Sequence, residues 1–341
     1  MHIHNSMKIT ILGAGAWGTA LAIALADRHQ ICLWGRDQIS MQEAASRREN
    51  VAYLPGFTLP ASMHITADFA SAIQHTLEDS HSGLLLLGTS VSGLRPLLQR
   101  LKGFSIPNIV WLCKGFEDQT QRLPHQIVEE ELGNQLSIGS LSGPSFAQEV
   151  ASGLPCALTI GSASQSLRDK VVNAVHSRQI RVYSSDDLIG VEVGGAVKNI
   201  LAIATGMIDG MHFGMNARAA LITRGLAEIT RLGIALGGRS ETFMGLTGVG
   251  DLILTCTGDL SRNRKVGLGL AQGKNLATIV AELGHVAEGV RCAQAVRTLA
   301  AQLGVDMPIT NAVANVLFDN ISPREMVAAL LSRDPRGEAL S

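Results

Sequence analysis

The stretch KITILGAGAWGTALAIALADRHQICLWG, Lys8 to Gly35, decides the fold, and it admits two incompatible readings. A basic residue followed by an apolar run ending in Ala-Leu-Ala has the outline of a signal peptide or a short membrane span. Against that, Gly13, Gly15 and Gly18 stand at G-x-G-x-x-G spacing. They fall between the strand-like KITIL and the helix-like TALAIALADR, and a second strand-like run, ICLWG, follows directly. The three glycines then serve, in turn, a tight bend, close backbone approach to a pyrophosphate, and close packing of the helix on the sheet. The helix N-terminus adds unpaired N–H groups and a positive dipole end for phosphates. The stretch therefore reads as the opening βαβ unit of a dinucleotide-binding fold, not as a leader or an anchor.

Outward from this unit, short apolar runs alternate with amphipathic segments up to about Ser185. The strand candidates are KITILG, QICLWG, HITAD, GLLLLG, NIVWLC, QLSIGSL, CALTIG and IRVYSS. Several are almost continuously apolar, as expected of strands covered by helices on both faces. The alternation implies a mostly parallel, doubly wound Rossmann-like sheet in an α/β fold. After Ser185 the strand signals stop, and helical periodicity takes over in AALITRGLAEITRLGIALG and VRCAQAVRTLAAQLGV. The expected organisation is a dinucleotide-binding domain over residues 7–186 and an all-helical substrate domain over 187–341. The lead MHIHNS before Met7 reads as a disordered start or as the product of an upstream start codon.

With 46% hydrophobic and 17% charged residues the chain should fold into compact domains. A formal net charge of −1 argues against nonspecific binding to nucleic acid or to an anionic membrane surface. Aromatics at 4% leave little for a base-stacking platform. The 5 cysteines (Cys32, Cys113, Cys156, Cys256 and Cys292) are scattered and form no C-x-x-C pair, so neither a disulfide framework nor a metal site is expected. No apolar stretch free of glycine and charge is long enough to span a bilayer. A cytoplasmic protein without an integral membrane segment is the expectation.

At the end of the second strand stand Gly35, Arg36 and Asp37. Arg36 suits the 2′-phosphate of NADP(H), whereas Asp37 as ribose ligand would suit NAD(H). Four polar clusters interrupt glycine- or alanine-rich surroundings farther on. Lys114 follows the apolar strand NIVWL, where doubly wound sheets bind their ligands. Ser142-Gly143-Pro144-Ser145 follows QLSIGSL; there Gly143 permits backbone approach, and Ser145 either meets a ligand or caps the next helix. The run IGVEVGGAVKNILAIATGM, Ile189 to Met207, carries Lys198 in what otherwise resembles a helix interior. Helical spacing puts Lys198 on one face with Gly194, Gly195, Ala202 and Thr205, and puts Glu192 out of its reach. Finally, GLTGVGDLILTCTGDLSRNRKVG places Asp251 in an apolar stretch and gathers Ser261, Arg262, Asn263 and Arg264 as anion donors.

A dinucleotide fold, an anion pocket and a lysine on a small-residue helix together point to hydride transfer on a phosphorylated alcohol. Lys198 would be the acid/base, because a proton must leave the hydroxyl as the hydride departs. Lys114, Asp251 or burial alone would tune it.

These motifs resemble the bacterial-type NAD(P)-dependent glycerol-3-phosphate dehydrogenase family. The resemblance rests on GAGAWGTALA, LSGPSFAQEVASGLP, GVEVGGAVKNILAIATGMIDG, FGMNARAALITRGLAE, FMGLTGVGDLILTCTGDLSRNR and VAEGV, spread over about residues 8–310. It implies reversible oxidation of sn-glycerol 3-phosphate to dihydroxyacetone phosphate, feeding phospholipid synthesis, with Lys198 as proton acceptor. It also implies a substrate site of Lys114, Gly143, Ser145, Lys198, Asp251, Ser261, Arg262 and Asn263. Trp17, Arg36, Lys114, Ala147, Arg262, Val286 and Glu288 would join Gly13, Gly15 and Gly18 on the dinucleotide.

The chain departs from the family pattern at Gly88-Thr89-Ser90, where proline-serine is usual, and at Cys113, Cys156 and Cys292, where threonine is usual. Two rivals remain. β-Hydroxyacid dehydrogenases pair a lysine with an asparagine four positions on, where this chain has Ala202. A catalytically inactive dinucleotide sensor would have lost the lysine or the anion pocket, and both are present. The small-residue helices permit a homodimer.

Overall fold

The computed structural model describes residues 6–79, 83–284 and 287–332, so of the MHIHNS lead only Ser6 lies among the described residues. The chain divides into two compact units. The first runs to Cys113 and resumes from Pro124 to Leu188; the second comprises Lys114–Leu123 and everything from Ile189 onward.

The first unit is built on a sheet of eight strands, β1 (Lys8–Leu12), β2 (Gln30–Trp34), β5 (His64–Thr66), β6 (Leu84–Leu87), β7 (Asn108–Trp111), β8 (Ser137–Ser142), β9 (Cys156–Gly161) and β10 (Ile180–Ser185). Their order is β10-β9-β8-β7-β6-β1-β2-β5, parallel throughout except between β8 and β9. All eight coincide with the strand candidates picked out in the sequence. Their alternating side chains feed two cores, because successive residues of a strand point to opposite faces. Ile9, Ile11, Ile31, Leu33, Leu84, Leu86 and Val110 pack on one face with Leu21, Leu25, Val171 and Val175 from the helices Ala16–Leu25 and Gln165–Val175. Leu12, Cys32, Leu85, Leu87, Ile109 and Trp111 pack on the other with helices Phe69–Leu77, Val91–Leu101 and Pro124–Leu132.

One element of this unit escaped the sequence patterns. Between β2 and β5 a small antiparallel hairpin forms from β3 (Glu49–Asn50) and β4 (Leu54–Thr58). Its few apolar residues, with Pro55 and Gly56 inside β4, carry too little periodicity to stand out.

The second unit is helical. Its axis is the helix Leu188–Gly210, in which every residue from Gly190 to Ile208 is buried. By length and composition this helix could cross a membrane, but 89% of its apolar window is buried among the protein's own helices. A helix that is apolar all round needs neighbours on every side, and glycines let them come close. A Cβ on Gly206 would strike the carbonyl oxygen of Arg264, and one on Gly267 would strike that of Ile203. The helices Leu188–Gly210 and Arg262–Ala271 thus pack backbone to backbone. The core also draws on the helices Gly214–Ala235, Glu288–Leu303 and Pro308–Phe318, among others, together with Phe116 and Leu123 of the inserted segment.

The helix Pro308–Phe318 has no side-chain cap of its own, and Glu228 replaces it from the helix Gly214–Ala235. The Glu228 carboxylate accepts the N–H of Ile309 (2.5 Å), the N–H of Thr310 (3.1 Å) and the Thr310 hydroxyl (3.0 Å). Burial pushes its carboxyl up to about 7, more than these donors and Arg231 pull it down. The native state therefore holds a proton that the unfolded chain releases at lower pH. This contribution to stability is full below about pH 4.5 and is lost as pH rises towards 7, by roughly 3 kcal/mol in all. In urea titrations the stability advantage of the wild type over Glu228→Gln should be larger at pH 5 than at pH 8. A gap independent of pH would contradict the assignment.

Candidate active site

The expected site residues fall into two sets, one in each unit. In the first unit, β1 is followed by Gly13, whose φ of +133° only glycine adopts easily. A Cβ there would lie 2.5 Å from the carbonyl of Gly88 at the end of β6. A Cβ on Gly18 would run into the Gly13 carbonyl, so that glycine seats the helix on the turn. Gly15 differs: the nearest atom to a Cβ there is the Gly88 oxygen at 3.9 Å, which leaves open space above the turn. The three positions thus differ in role, and the helix Ala16–Leu25 opens directly from the turn, with Gly15 as its N-cap. Trp17 and Ala147 both pack, partly buried, against the core on this face.

Arg36 is exposed beyond β2, while Asp37 caps the helix Gln38–Arg47 by accepting the Ser40 N–H at 2.8 Å. Gly143 has φ +140°, and a Cβ on it would lie 2.8 Å from the Ala157 oxygen. Ser145 does not cap the next helix. The N-cap of Ala147–Ala151 is Phe146, and the Ser145 hydroxyl donates to the Gly143 carbonyl at 3.1 Å.

In the second unit the lysine of the buried helix meets its partners. Lys198 Nζ donates to Asp251 Oδ1 at 2.5 Å and to Thr255 Oγ1 at 2.9 Å. Lys114 Nζ takes the other oxygen of the same carboxylate, Asp251 Oδ2, at 2.7 Å. Thr255 in turn donates to the Asp251 carbonyl at 2.6 Å, one helical turn back. The Asp251 side chain is 1% exposed. Its helix, Asp251–Thr257, is preceded by a π-helical turn, Leu246–Gly250. A Cβ on Gly194 would lie 2.5 Å from the Thr247 oxygen of that turn. The small residues beside Lys198 therefore make room for another stretch of backbone, and that stretch brings Asp251 to the lysine.

Burial is the largest influence on the Lys198 ammonium and lowers its pKa to about 8; Asp251 works against this and Lys114 adds to it. The three candidate tuners thus all act, with burial foremost. Glu288, half-buried, is pushed up by burial against the pull of Arg262, Lys114, Lys198 and Arg291.

Ser261 caps the helix Arg262–Ala271 by accepting the Arg264 N–H at 3.2 Å. Arg262 is exposed at its first position. Arg264 is not a spare anion donor: its guanidinium is held by Asp209 (2.8 and 2.9 Å) and Asp259 (2.9 Å). The Asn263 carboxamide donates to Asn199 Oδ1 and accepts the Gly289 N–H, both at 3.0 Å, joining three helices. Val286 lies outside the described residues. Sequence reasoning missed Thr255 and Asn199. Thr255 stands four positions after Asp251, a spacing that signals a shared helix face.

The chain's relatives match this architecture end to end. Residues 8–168 match the N-terminal model, and residues 187–328 the C-terminal model, of NAD-dependent glycerol-3-phosphate dehydrogenase. The chain belongs to that family. It is similar to the glycerol-3-phosphate dehydrogenase (NAD(P)+) of Herminiimonas arsenicoxydans, 71% identical over 97% of this chain and 99% of that protein. The Paucimonas lemoignei protein of the same name is 69% identical over 98% and 99%. Among solved structures, glycerol-3-phosphate dehydrogenase from Coxiella burnetii superposes with a TM-score of 0.91 at 38% identity, covering 96% of this chain and 99% of that one. For a glycerol-3-phosphate dehydrogenase family member, the shared carboxylate is the group to test first. Asp251→Asn takes the common counter-charge from two ammonium groups and should cost about 3 kcal/mol or more in urea unfolding. Without the group that raises its pKa, Lys198 should also acylate at lower pH than in the wild type, as read by mass spectrometry of its peptide. Unchanged labelling would contradict the charge coupling.

Proposed function

We propose that this chain catalyses reversible oxidation of sn-glycerol 3-phosphate to dihydroxyacetone phosphate with NAD(P), and that Lys198 is its acid/base. The observation that carries this reading is the buried ammonium of Lys198, held by Asp251 and Thr255 with a pKa of about 8. Such a group exchanges a proton near neutral pH, where an ordinary lysine does not. The nicotinamide supplies the hydride acceptor or donor. In oxidation, neutral Lys198 takes the proton of the C2 hydroxyl as the hydride leaves C2. In reduction, the Lys198 ammonium returns a proton to the C2 oxygen as hydride arrives. Asp251 and Thr255 hold Nζ in place for both.

Arg262, the Ser261 hydroxyl and the opening amides of the helix Arg262–Ala271 suit the phosphate of the substrate. Asn263 contributes its second amide hydrogen, and Lys114, Gly143 and Ser145 complete the substrate set. Gly13, Gly15, Trp17, Gly18, Arg36, Lys114, Ala147, Arg262, Val286 and Glu288 hold the dinucleotide. Because the Asp37 carboxylate is engaged as a helix cap, Arg36 is left to choose the cofactor, and NADP(H) is the preferred one. The cellular setting of this reading is cytoplasmic supply of a glycerophospholipid precursor. A homodimer is part of it, tested by light scattering, where twice the chain mass is expected.

Three further measurements test the proposal. NADPH absorbance should fall with dihydroxyacetone phosphate, and Lys198→Ala should lose most of kcat, about a thousandfold, with a modest change in NADPH affinity. A mutant that turns over like wild type would remove Lys198 from the chemistry, and an inert wild type that still binds NADPH would point to a sensor. Since the base must be neutral for oxidation and charged for reduction, kcat should rise through about pH 8 with glycerol 3-phosphate and fall through it with dihydroxyacetone phosphate. Arg36→Ala should raise KM for NADPH about tenfold while leaving KM for NADH nearly unchanged.

A further inference from the structure

The hairpin β3–β4 meets the glycine turn through one side chain. Asn50, 7% exposed, sits at the end of β3 and donates through Nδ2 to the Ala14 carbonyl and to Thr19 Oγ1, both at 2.8 Å. A carbonyl oxygen only accepts, so the amide nitrogen must face it.

The Ala14 carbonyl is half of the peptide that joins Ala14 to Gly15. That peptide is planar, so its C=O and N–H point in opposite directions and cannot turn independently. Fixing the oxygen of Ala14 therefore aims the N–H of Gly15. The rest of the turn is tied elsewhere: Gly13 N–H donates to the Trp34 carbonyl (2.8 Å), and the Gly15 carbonyl accepts Thr19 N–H (2.9 Å). The N–H of Gly15 donates to no group among the described residues. Beside it, a Cβ on Gly15 would meet no atom nearer than the Gly88 oxygen at 3.9 Å, so the turn is uncrowded there.

We infer that Asn50 is a positioning residue for the dinucleotide: it holds the Ala14–Gly15 peptide in the orientation that presents the Gly15 N–H to the pyrophosphate. This rests on the dinucleotide reading of the turn. The hairpin is otherwise anchored by Leu54 and Leu59, each 1% exposed, while Val51 (50%) and Tyr53 (46%) at its tip face solvent. Asn50 is thus the polar link from the hairpin to the cradle. Asn50→Asp keeps the shape but sets a carboxylate oxygen against the Ala14 oxygen, so it should turn the peptide away. Asn50→Ala leaves the peptide without its tie.

The test is a fluorescence titration of the full chain with NADPH, which reads binding without turnover. Glu49→Ala is the control, because it removes a different hairpin bond, from the Gly56 N–H to Glu49 Oε1 at 2.7 Å, without touching the turn. Asn50→Ala and Asn50→Asp should each raise Kd for NADPH by about tenfold, with Asp the worse. Glu49→Ala should stay within about twofold of wild type even where its thermal midpoint falls as far. In steady state the Asn50 variants should raise KM for NADPH more than they lower kcat. Asn50 variants that bind as wild type does would overturn the inference, and so would a Glu49→Ala loss equal to that of Asn50→Ala. A wild type that fails to bind NADPH would instead bring down the dinucleotide reading beneath it.

Discussion

A positive charge inside a helix buried from Gly190 to Ile208 is the constraint around which the second unit is arranged. Lysine does not stay charged in such surroundings without a counter-ion. Asp251 provides it, yet Asp251 is itself 1% exposed and needs cations of its own. The solution is one carboxylate shared by Lys198 and Lys114, with each oxygen taken by one ammonium. The π-helical turn and Gly194 bring Asp251 within reach, and Thr255 on the following turn holds Nζ from a second direction. Desolvation still outweighs the pairing, so the ammonium is destabilised relative to an ordinary lysine.

In the proposed reading, the first unit meets its anion with backbone amides. Its glycine turn carries no charged side chain, and its capacity for an anion lies in amides left without partners by helix geometry. Because amides have no rotamers, the only way to tune such a site is to fix the peptide planes. The close contact of Gly13 with Gly88 and the bond from Asn50 to Ala14 both act in that way.

Much of this was legible in the chain. All eight sheet strands lie on strand-like runs of the sequence; central strands such as β6 and β7 are apolar throughout because both their faces are buried, and Lys198 is conspicuous as a lone cation in the run from Val193 to Ile208. What stayed hidden depends on pairings between distant residues. Asn50 reaches a turn 36 positions earlier, and Lys198 meets a threonine 57 positions later. Ser145 looks like a cap, but the helix begins one residue later than its position requires. Arg264 looks like a phosphate ligand, but Asp209 and Asp259 occupy it. The hairpin β3–β4 is too short for any periodicity to show.

The membership of Lys114–Leu123 in the second unit has a consequence for how the protein can be divided or inherited. The chain changes unit at three points, after Cys113, Leu123 and Leu188, so neither unit is encoded by one uninterrupted stretch of gene. A fragment beginning at Ile189 lacks Phe116 and Leu123 from its core and one of the two ammonium groups that neutralise Asp251. The buried carboxylate would then face Lys198 with half its counter-charge missing. Recombination that swaps the C-terminal helices between relatives must therefore carry the segment Lys114–Leu123 along, or else keep a version of it that fits.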